Sequence, residues 1–340
     1  SKAAELANLI GNINAGGGSG PNKNLIINGN FVVGQRGTSF SNVTSSQFCL
    51  DRFSVDVGGG GAFNVTQDTS APEGFEKSLK LEVNTADSSI AAGDAYRVTQ
   101  AVEGQNIAQV ELGASTAKPM ALSFYVKSSV TGTYGVGLAN NAETENFVAE
   151  YTISSANTWE KKTINIPART SGTWLTTNGV GIGVRFDLGS GTNYNGTAGQ
   201  WQTTSSKVYR TSSCVNLIAT GSATWFITGI QLEIGQNPTS FEHEPFQVTL
   251  EKCYRYFQNN DCGSFVMQIV RDSDDIKRGT VFYPVRTRSN SPSVSLNTTT
   301  LDGATLAIDE ARNTACSITM DSGSDGNVPR IHVYLVEDEI

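Results

Sequence analysis

The chain has 340 residues, which exceeds one ordinary domain of roughly 100–200 residues and is enough to bury a sizeable core. Its net charge of −8 is spread without long runs of one sign, which argues against a nucleic-acid partner held by electrostatics. No run is long and apolar enough to cross a membrane, so we expect no membrane insertion. The 35 glycines are typical of strands joined by tight turns.

The first predicted element is a short helix near the amino terminus. Its apolar face is formed by Leu6, Ala7, Ile10 and Ile13, and the glycine-rich linker AGGGSG follows at residues 15–20. Because a helix of about eleven residues is marginal in water by itself, we predict that this face docks on a partner or forms a seam for self-association. A disordered tail is the alternative. We assign residues 1–23 to this helix and linker.

Residues 24–247 show recurrent strand patterns. Apolar residues alternate with polar ones in several runs, and alternation with period two marks a strand with one face on a core. The clearest runs are Phe53, Val55 and Val57; Leu79, Leu81 and Val83; and Leu122, Phe124 and Val126. Asn24–Phe31 and Trp225–Gly235 are predicted as the opening and closing strands. Glycine-rich turns between strands, without long helices, predict an all-β, jelly-roll-like antiparallel sandwich.

Two of these strands have glycine on one face. In YGVGL, apolar residues alternate with Gly135 and Gly137. In VGIGVRF, they alternate in the same way with Gly181, Gly183 and Arg185. Glycine within a strand often marks the close approach of a ligand or of another backbone. If the two strands are neighbours, they make a shallow trough for a glycan or a subunit. The alternative is tight packing by another part of the chain.

A short helix and a smaller domain follow the sandwich. Thr249 is the expected N-cap of a helix over residues 249–256 that follows Pro245, and we assign residues 248–258 to this connection. Residues 259–340 are predicted as a small β-rich carboxy-terminal tip domain. The strand candidates in it are Phe265–Val270, Thr280–Val285, Ser293–Leu296, Thr305–Ile308, Ala315–Met320 and Ile331–Val336.

Catalytic chemistry is sparse. The two histidines, His243 and His332, have no matching nucleophile motif, so a Ser–His–Asp arrangement is not expected. Paired carboxylates for glycoside hydrolysis are the enzymatic alternative, and the candidates are Asp187, Glu103 and Glu150. Any chain with 32 acidic residues supplies such candidates, so the pattern is not specific. We therefore predict that the protein is not an enzyme.

Neither a disulfide framework nor a metal site is predicted. The five cysteines form no CxxC pair, and small buried thiols are the simpler interpretation. The acidic segments Asp272–Asp275 and Asp321–Gly326 gather possible calcium ligands but lack the full pattern of an EF-hand loop. We interpret both as surface turns and expect no cofactor.

Several segments, in their order along residues 24–258, resemble bacteriophage tail-fibre-type virion proteins built on a carbohydrate-binding-module-like jelly roll. They are Asn24–Phe31, Gln35–Phe40, Asp51–Phe53, Val102–Asn106, Ser115–Ser128, Thr158–Pro167, Ser171–Gln200, Trp225–Gly235 and Asn237–Pro245. The acidic end VEDEI also resembles the end of the variable tip in this family. The resemblance implies a homotrimer located in the virion and assembled in the host cytoplasm. It carries over no catalytic residues.

The leading functional hypothesis is a non-enzymatic tail fibre or fibre-like appendage that recognises a bacterial surface glycan or receptor. Sugar rings stack on flat apolar faces, so Trp174, Tyr194 and Trp201 are the predicted binding residues, together with Arg185 of the glycine-faced strand. Other tail or capsid proteins would be its virion partners. The alternative is a purely structural virion component, a capsid decoration or tail adaptor protein, without a receptor role.

Overall fold

The computed structural model describes residues 23–259, 265–266, 270–271, 276–296, 300–301, 304–321, 330–331 and 334–340. The predicted amino-terminal helix with Leu6, Ala7, Ile10 and Ile13 lies outside these residues. His332, Cys262 and most of the two acidic turns also lie outside them. The chain divides into two compact units, the first ending at Glu244 and the second beginning at Pro245.

The first unit is a sandwich of short strands. In chain order they are β1 (Ser39–Val43), β2 (Gln47–Phe48), β3 (Ser54–Gly58), β4 (Ala62–Asp68), β5 (Ser78–Thr85), β6 (Ala95–Glu103), β7 (Met120–Ser128), β8 (Gly132–Ala139), β9 (Glu145–Ile153), β10 (Glu160–Ile166), β11 (Val180–Asp187), β12 (Trp201–Thr203) and β13 (Thr224–Ile234). A four-residue helix, α1 (Gly104–Ile107), follows β6.

These strands form two antiparallel sheets. The first has the order β1-β4-β5-β13-β7-β10, and the second has the order β12-β9-β8-β11-β6-β3-β2. Strands that are distant in sequence are therefore neighbours in both sheets, as the jelly-roll-like prediction requires. The fold class is all-β, as predicted.

The core lies between the two sheets. Phe124 of the first sheet packs edge-on against Phe186 and Tyr151 of the second, with ring centroids 5.1 and 5.0 Å apart. The alternating residues predicted to face the core are all buried: Phe53, Val55, Val57, Leu79, Leu81, Val83, Leu122, Phe124 and Val126. Period-two alternation thus identified the inner faces of β3, β5 and β7.

The opening segment differs from its prediction. The backbone of residues 24–29 hydrogen-bonds to β13, through Leu25 N to Leu232 O and Ile230 N to Gly29 O, but it does not form a regular strand. Asn28 and Phe31 have left-handed backbone conformations, with φ of 61° and 56°, which interrupt the extended path. A β-carbon on Gly29 would lie 2.1 Å from the carbonyl oxygen of Ile230, so only glycine allows this approach.

The second unit begins with helix α2 (Phe246–Tyr254). Its N-cap is Pro245, so the predicted cap, Thr249, is wrong; Thr249 is buried within the helix. The strands are β14 (Phe257–Asn259), β15 (Phe265–Val266), β16 (Val270–Arg271), β17 (Ile276–Phe282), β18 (Ser293–Leu296), β19 (Thr300–Leu301), β20 (Ala304–Ala311), β21 (Ala315–Asp321), β22 (Arg330–Ile331) and β23 (Tyr334–Glu337). A small apolar cluster that includes Val281, Cys316, Ile318 and Val336 forms its described core.

Four cysteines lie in the described part of the chain, and each is a buried thiol rather than half of a disulfide: Cys49, Cys214, Cys253 and Cys316. Burial raises the pKa of Cys49 to about 11, which keeps this thiol protonated at neutral pH. No helix among the described residues has the length and apolar character needed to span a bilayer.

Candidate functional site: an edge tryptophan pair and an arginine cluster

The two glycine-faced strands are neighbours, as the trough hypothesis required. β8 pairs with β11, and Gly137 lies opposite Arg185. Their glycine faces point away from the core, on the outer side of the second sheet. Most of this surface is nevertheless filled by the chain itself, so the open trough is wrong over Gly135, Gly137 and Gly181.

The filling element is residues 204–216, here called the covering segment. A β-carbon on Gly137 would lie 2.3 Å from the Tyr209 β-carbon, and one on Gly135 would lie 2.8 Å from the Tyr209 carbonyl oxygen. Helix α1 fills the other end of the face, because a β-carbon on Gly181 would lie 2.3 Å from Ile107 Cγ2. The glycines therefore allow close packing of the chain's own backbone.

Tyr194 belongs to this packing. Its ring stacks on Tyr209 with centroids 4.8 Å apart, and its hydroxyl donates to the carbonyl of Gly93 at 3.0 Å. The Tyr194 ring is half-buried, and one of its faces is covered by Tyr209. Tyr194 therefore orders the covering segment on the sheet.

Arg185 lies beside Gly183 and covers it. The three atoms nearest to a β-carbon built on Gly183 all belong to the Arg185 guanidinium, with Nη2 at 3.5 Å. Arg185 Nη2 donates to Glu143 Oε1 at 2.7 Å, and Lys207 Nζ lies 3.0 Å from the same oxygen.

Arg97 on β6 is the second cation of this face. Its Nε donates to Asp56 Oδ2 at 2.7 Å, and its guanidinium carbon lies 5.0 Å from the centre of the Tyr209 ring. Thr99 also donates to Asp56, at 2.9 Å. Burial alone would raise the pKa of Asp56, but Arg97 and these hydrogen bonds lower it below its usual value. We refer to Arg97 and Arg185 as the arginine cluster.

Trp174 and Trp201 lie together at the edge of the sandwich. Their rings meet edge-to-face with centroids 5.5 Å apart, and Trp201 also contacts Phe147 at 5.5 Å. The indole nitrogens donate to backbone carbonyls, Trp174 to Ser171 at 3.1 Å and Trp201 to Pro167 at 2.7 Å. Both rings are half-buried. Their orientation is therefore fixed while part of each ring faces solvent.

Charged and polar groups adjoin the tryptophan pair. Arg169 Nε donates to Glu145 Oε2 at 2.7 Å, and the Thr203 hydroxyl donates to Glu145 Oε1 at 3.1 Å. Gly172 packs against Glu145 so closely that a β-carbon would lie 2.4 Å from Glu145 Cγ. We call Trp174, Trp201, Glu145, Arg169 and Thr203 the edge site.

The four predicted binding residues thus separate into two places. Trp174 and Trp201 form the edge site, whereas Arg185 and Tyr194 lie on the outer face of the second sheet. The loop between β8 and β9 connects these places, because Glu143 contacts Arg185 and Glu145, two residues later, contacts Arg169. Two residues span at most about 7 Å of chain. The two places are therefore joined by this loop, although Trp201 lies opposite the core residue Phe147, on the inner face of the sheet that carries Arg185 on its outer face.

The carboxylates considered for hydrolysis do not face a common cleft. Asp187 is fully buried beneath the covering segment, with Arg210 Nε at 3.6 Å, and Glu103 is 1% exposed. Glu150 is exposed and accepts a hydrogen bond from Thr211. No cluster of three or more metal-ligating side chains occurs among the residues that the structure describes.

Sequence reasoning missed Arg97, Asp56, Arg169 and Glu145. A signal existed for the first two, because Asp56 and Arg97 occupy polar positions of strands whose alternate residues are apolar. Their pairing depends on the register of β3 against β6, which a single sequence does not supply. Arg169 and Glu145 lie 24 residues apart, and only the fold of the connecting loop brings them together.

No protein-family model and no curated protein matches this chain. Among solved structures, it is similar to the enzymatically active domain of tailspike protein 4 of bacteriophage CBA120, at 16% identity with a TM-score of 0.34. That match covers 63% of this chain and spans 22% of the tailspike chain.

The chain is also similar to the family 11 carbohydrate-binding module of cellulosomal cellulase Lic26A-Cel5E of Clostridium thermocellum. The identity is 14% and the TM-score 0.30, over 62% of this chain and 98% of the module. A third similar structure is TmCBM61 in complex with β-1,4-galactotriose, at 12% identity and a TM-score of 0.29, over 62% and 98% of the two chains. The strand order of the two sheets in this chain defines its all-β fold.

Proposed function

We propose that this chain is a non-enzymatic glycan-binding protein of a virion, and that the edge site receives the sugar. The observation that carries the proposal is the fixed, half-exposed pair Trp174 and Trp201 beside the polar groups of Glu145, Arg169 and Thr203. Sugar rings have apolar faces that stack on aromatic rings, and their hydroxyls need donors and acceptors nearby. The edge site supplies both.

Pre-organisation strengthens this proposal. Each indole N–H is bonded to a backbone carbonyl, so neither ring has to be immobilised when a ligand arrives. The Glu145 carboxylate is likewise held by two side chains before binding. A site of this kind loses little conformational entropy on binding, which matters for a weak ligand such as a short glycan.

Replacing Trp174 or Trp201 by alanine is expected to weaken glycan retention about tenfold, because a stacked ring contributes roughly 1.5 kcal/mol. Glycan-array binding and host adsorption would be measured together with the melting temperature. Trp159→Ala is the matched control. Trp159 is also half-buried, and its ring centroid lies 6.1 Å from that of Phe226, away from the edge site. A loss of stability with unchanged retention per folded molecule would assign the tryptophans to the core and contradict the proposal.

The place of the protein in a tail fibre, its virion partners and its trimeric state form the finer part of this proposal. They are supported by the sequence segments that resemble tail-fibre-type proteins. Trimeric assembly would also raise the avidity of a weak sugar site through multivalency. Exposed Phe246 and Phe282, at 55% and 77%, are suited to contacts with protein partners, which also agrees with the purely structural alternative.

Mass measurement of the full chain is expected to give three copies. The measurement is repeated over a range of concentrations, because a seam formed by a short helix dissociates on dilution. A monomer at every concentration, with normal glycan binding, would contradict the trimer and leave the edge site standing. A trimer without any glycan binding would instead favour the structural alternative.

A further inference from the structure

The arginine cluster has hydrogen-bond donors that the chain does not use. Arg185 is 9% exposed, yet its Nε and Nη1 have no hydrogen-bond partner, and Arg97 Nη1 is also buried without one. Buried donors in folded proteins are nearly always paired, because each unpaired group carries the full cost of losing water. Three donor nitrogens on two adjacent cations therefore indicate a missing acceptor.

The two carboxylates that contact this cluster, Asp56 and Glu143, are already engaged. Asp56 accepts from Arg97, Thr99 and Ser54, and its two oxygens are both used. Glu143 is shared between Arg185 Nη2 and Lys207. Burial and the neighbouring Arg97 both lower the pKa of Arg185, which agrees with positive charge that is only partly compensated.

The Arg185 guanidinium covers Gly183. The three atoms nearest to a β-carbon built on Gly183 all belong to that guanidinium, at 3.5 to 3.9 Å, whereas at Gly137 the nearest atoms belong to Tyr209 of the covering segment. Glu143 in the β8–β9 loop contacts Arg185, and Lys207 in the covering segment contacts Glu143. Their side chains are 28% and 30% exposed, respectively. These two flexible side chains therefore lie on the solvent side, where rotation would admit a ligand.

We propose that the arginine cluster binds a carboxylate or sulfate group of an acidic glycan. The inference rests on the proposed function and names its substrate class. Guanidinium groups bind the oxygens of carboxylate and sulfate groups through N–H donors, and such charge-assisted bonds are stronger than bonds between neutral groups. The β8–β9 loop carries a contact of each place, Glu143 with Arg185 and Glu145 with Arg169. The acidic group of the glycan is thus held by the arginines, and the edge site holds a sugar ring.

The first test uses small probes on the full chain. Sodium glucuronate and sodium sulfate are expected to raise the melting temperature at millimolar concentration, whereas glucose at matched ionic strength does not. Arg185→Gln and Arg97→Gln are each expected to weaken the glucuronate response at least fivefold. Lys161→Gln removes one charge from an exposed residue on the first sheet and is expected to respond like the parent.

The second test separates the inference from the proposed function. A glucuronate-containing polysaccharide is compared with the same polysaccharide after chemical reduction of its carboxyl groups. The parent is expected to retain the acidic form at least tenfold better than the reduced form. Arg185→Gln is expected to lose that preference. Adding Trp201→Ala to Arg185→Gln is still expected to weaken retention of both forms. Equal retention of the two forms overturns the acidic-glycan inference but leaves the edge site intact. Absence of all retention overturns the proposed function itself.

Folding of the variants is checked by circular dichroism. If Arg185→Gln does not fold, two measurements still test the inference. One is the glucuronate response of Arg97→Gln, and the other is the parent's shift in melting temperature with anions compared with its shift with glucose. A parent that responds to neither glucuronate nor sulfate has its donors satisfied by a buried water only, and the inference is then wrong. A response to sulfate without one to glucuronate assigns the cluster to a sulfated glycan, which supports it.

Discussion

Replacing Gly137 by valine is expected to lower the free energy of unfolding by about 3 kcal/mol, near the upper end for overpacked sites. The β-carbon alone would lie 2.3 Å from Tyr209 Cβ and 2.5 Å from Tyr209 Cα, closer than any real contact. The positions of Cα and Cβ do not change when the Tyr209 side chain changes rotamer, so a rotamer change does not relieve these contacts. The covering segment must move away, and Tyr209, now fully buried, then becomes exposed to water.

Urea denaturation and limited proteolysis measure this effect. We expect a lower midpoint and new cleavage within residues 204–216 of the Gly137→Val variant. Gly221→Ala is the control, because a β-carbon at Gly221 has no atom within 4 Å and its backbone is not left-handed. If Gly137→Val is as stable as this control, the covering segment can be displaced with little loss of folding free energy, and the expectation is wrong.

The sandwich was predictable because its physical signal is local. A strand with one face on a core must alternate apolar and polar residues; β3 and β5 do so throughout, and β7 does so from Leu122 to Lys127 with Tyr125 at one outward position. The opening segment was harder, because Asn28 and Phe31 adopt left-handed conformations that no propensity favours for phenylalanine. Its hydrogen bonds to β13 are non-local and override local preference.

The covering segment could not be predicted from the glycines that it covers. Gly135 and Gly137 indicate that something approaches the strand closely, but a ligand, a subunit and the chain's own backbone leave the same pattern. The occupant, Tyr209, comes about 70 residues later in sequence and follows a loop without periodicity. Only the folded chain distinguishes these cases.

The candidate site was predictable in part. Aromatic residues beside glycine-rich loops led to Trp174 and Trp201, and the structure brings these two together. The same reasoning placed Tyr194 with them, although its ring instead stacks on Tyr209. The polar position of Arg97 in an alternating strand was a weak signal, because a charged residue at such a position is most often exposed on the surface.

Asp187 is expected to make the protein less stable as the pH rises from about 4.5 to 6. This carboxyl is fully buried, and its Oδ2 lacks a hydrogen bond although Arg210 Nε lies 3.6 Å away. Burial raises the pKa of Asp187 to about 6, and Arg210 and Ser190 offset only part of that effect. The folded protein therefore holds a proton on this group that the unfolded chain has already released.

The sign of the dependence follows from this difference in protonation. Between the unfolded pKa, near 3.8, and the folded value of about 6, the folded state binds more protons, so the free energy of unfolding falls with rising pH. Above both values the loss is complete. One pKa unit corresponds to about 1.4 kcal/mol, so we expect the free energy of unfolding to fall by roughly 2 kcal/mol between pH 4.5 and 6.

Other carboxyl groups act mainly below this range and with the opposite sign. The pKa values of Asp56 and Glu160 are lowered in the folded state, so the stability that they contribute is present at higher pH and is lost as the pH falls through their folded values. An unfolded glutamate is only half ionised near pH 4.3, so these groups still oppose the decline by a few tenths of a kcal/mol each just above pH 4.5. The comparison with an Asp187 variant therefore isolates Asp187.

Urea denaturation at several pH values tests this expectation with Asp187→Asn. The asparagine has the same size and does not titrate, so the decline between pH 4.5 and 6 should disappear. Arg210 keeps acceptors in the Cys214 carbonyl and Asn216, so the variant should remain folded. Glu76→Gln removes an exposed carboxyl and should retain the parent's slope. An unchanged slope in Asp187→Asn would mean that Arg210 keeps the buried carboxylate ionised throughout, and that the covering segment is held by a full ion pair.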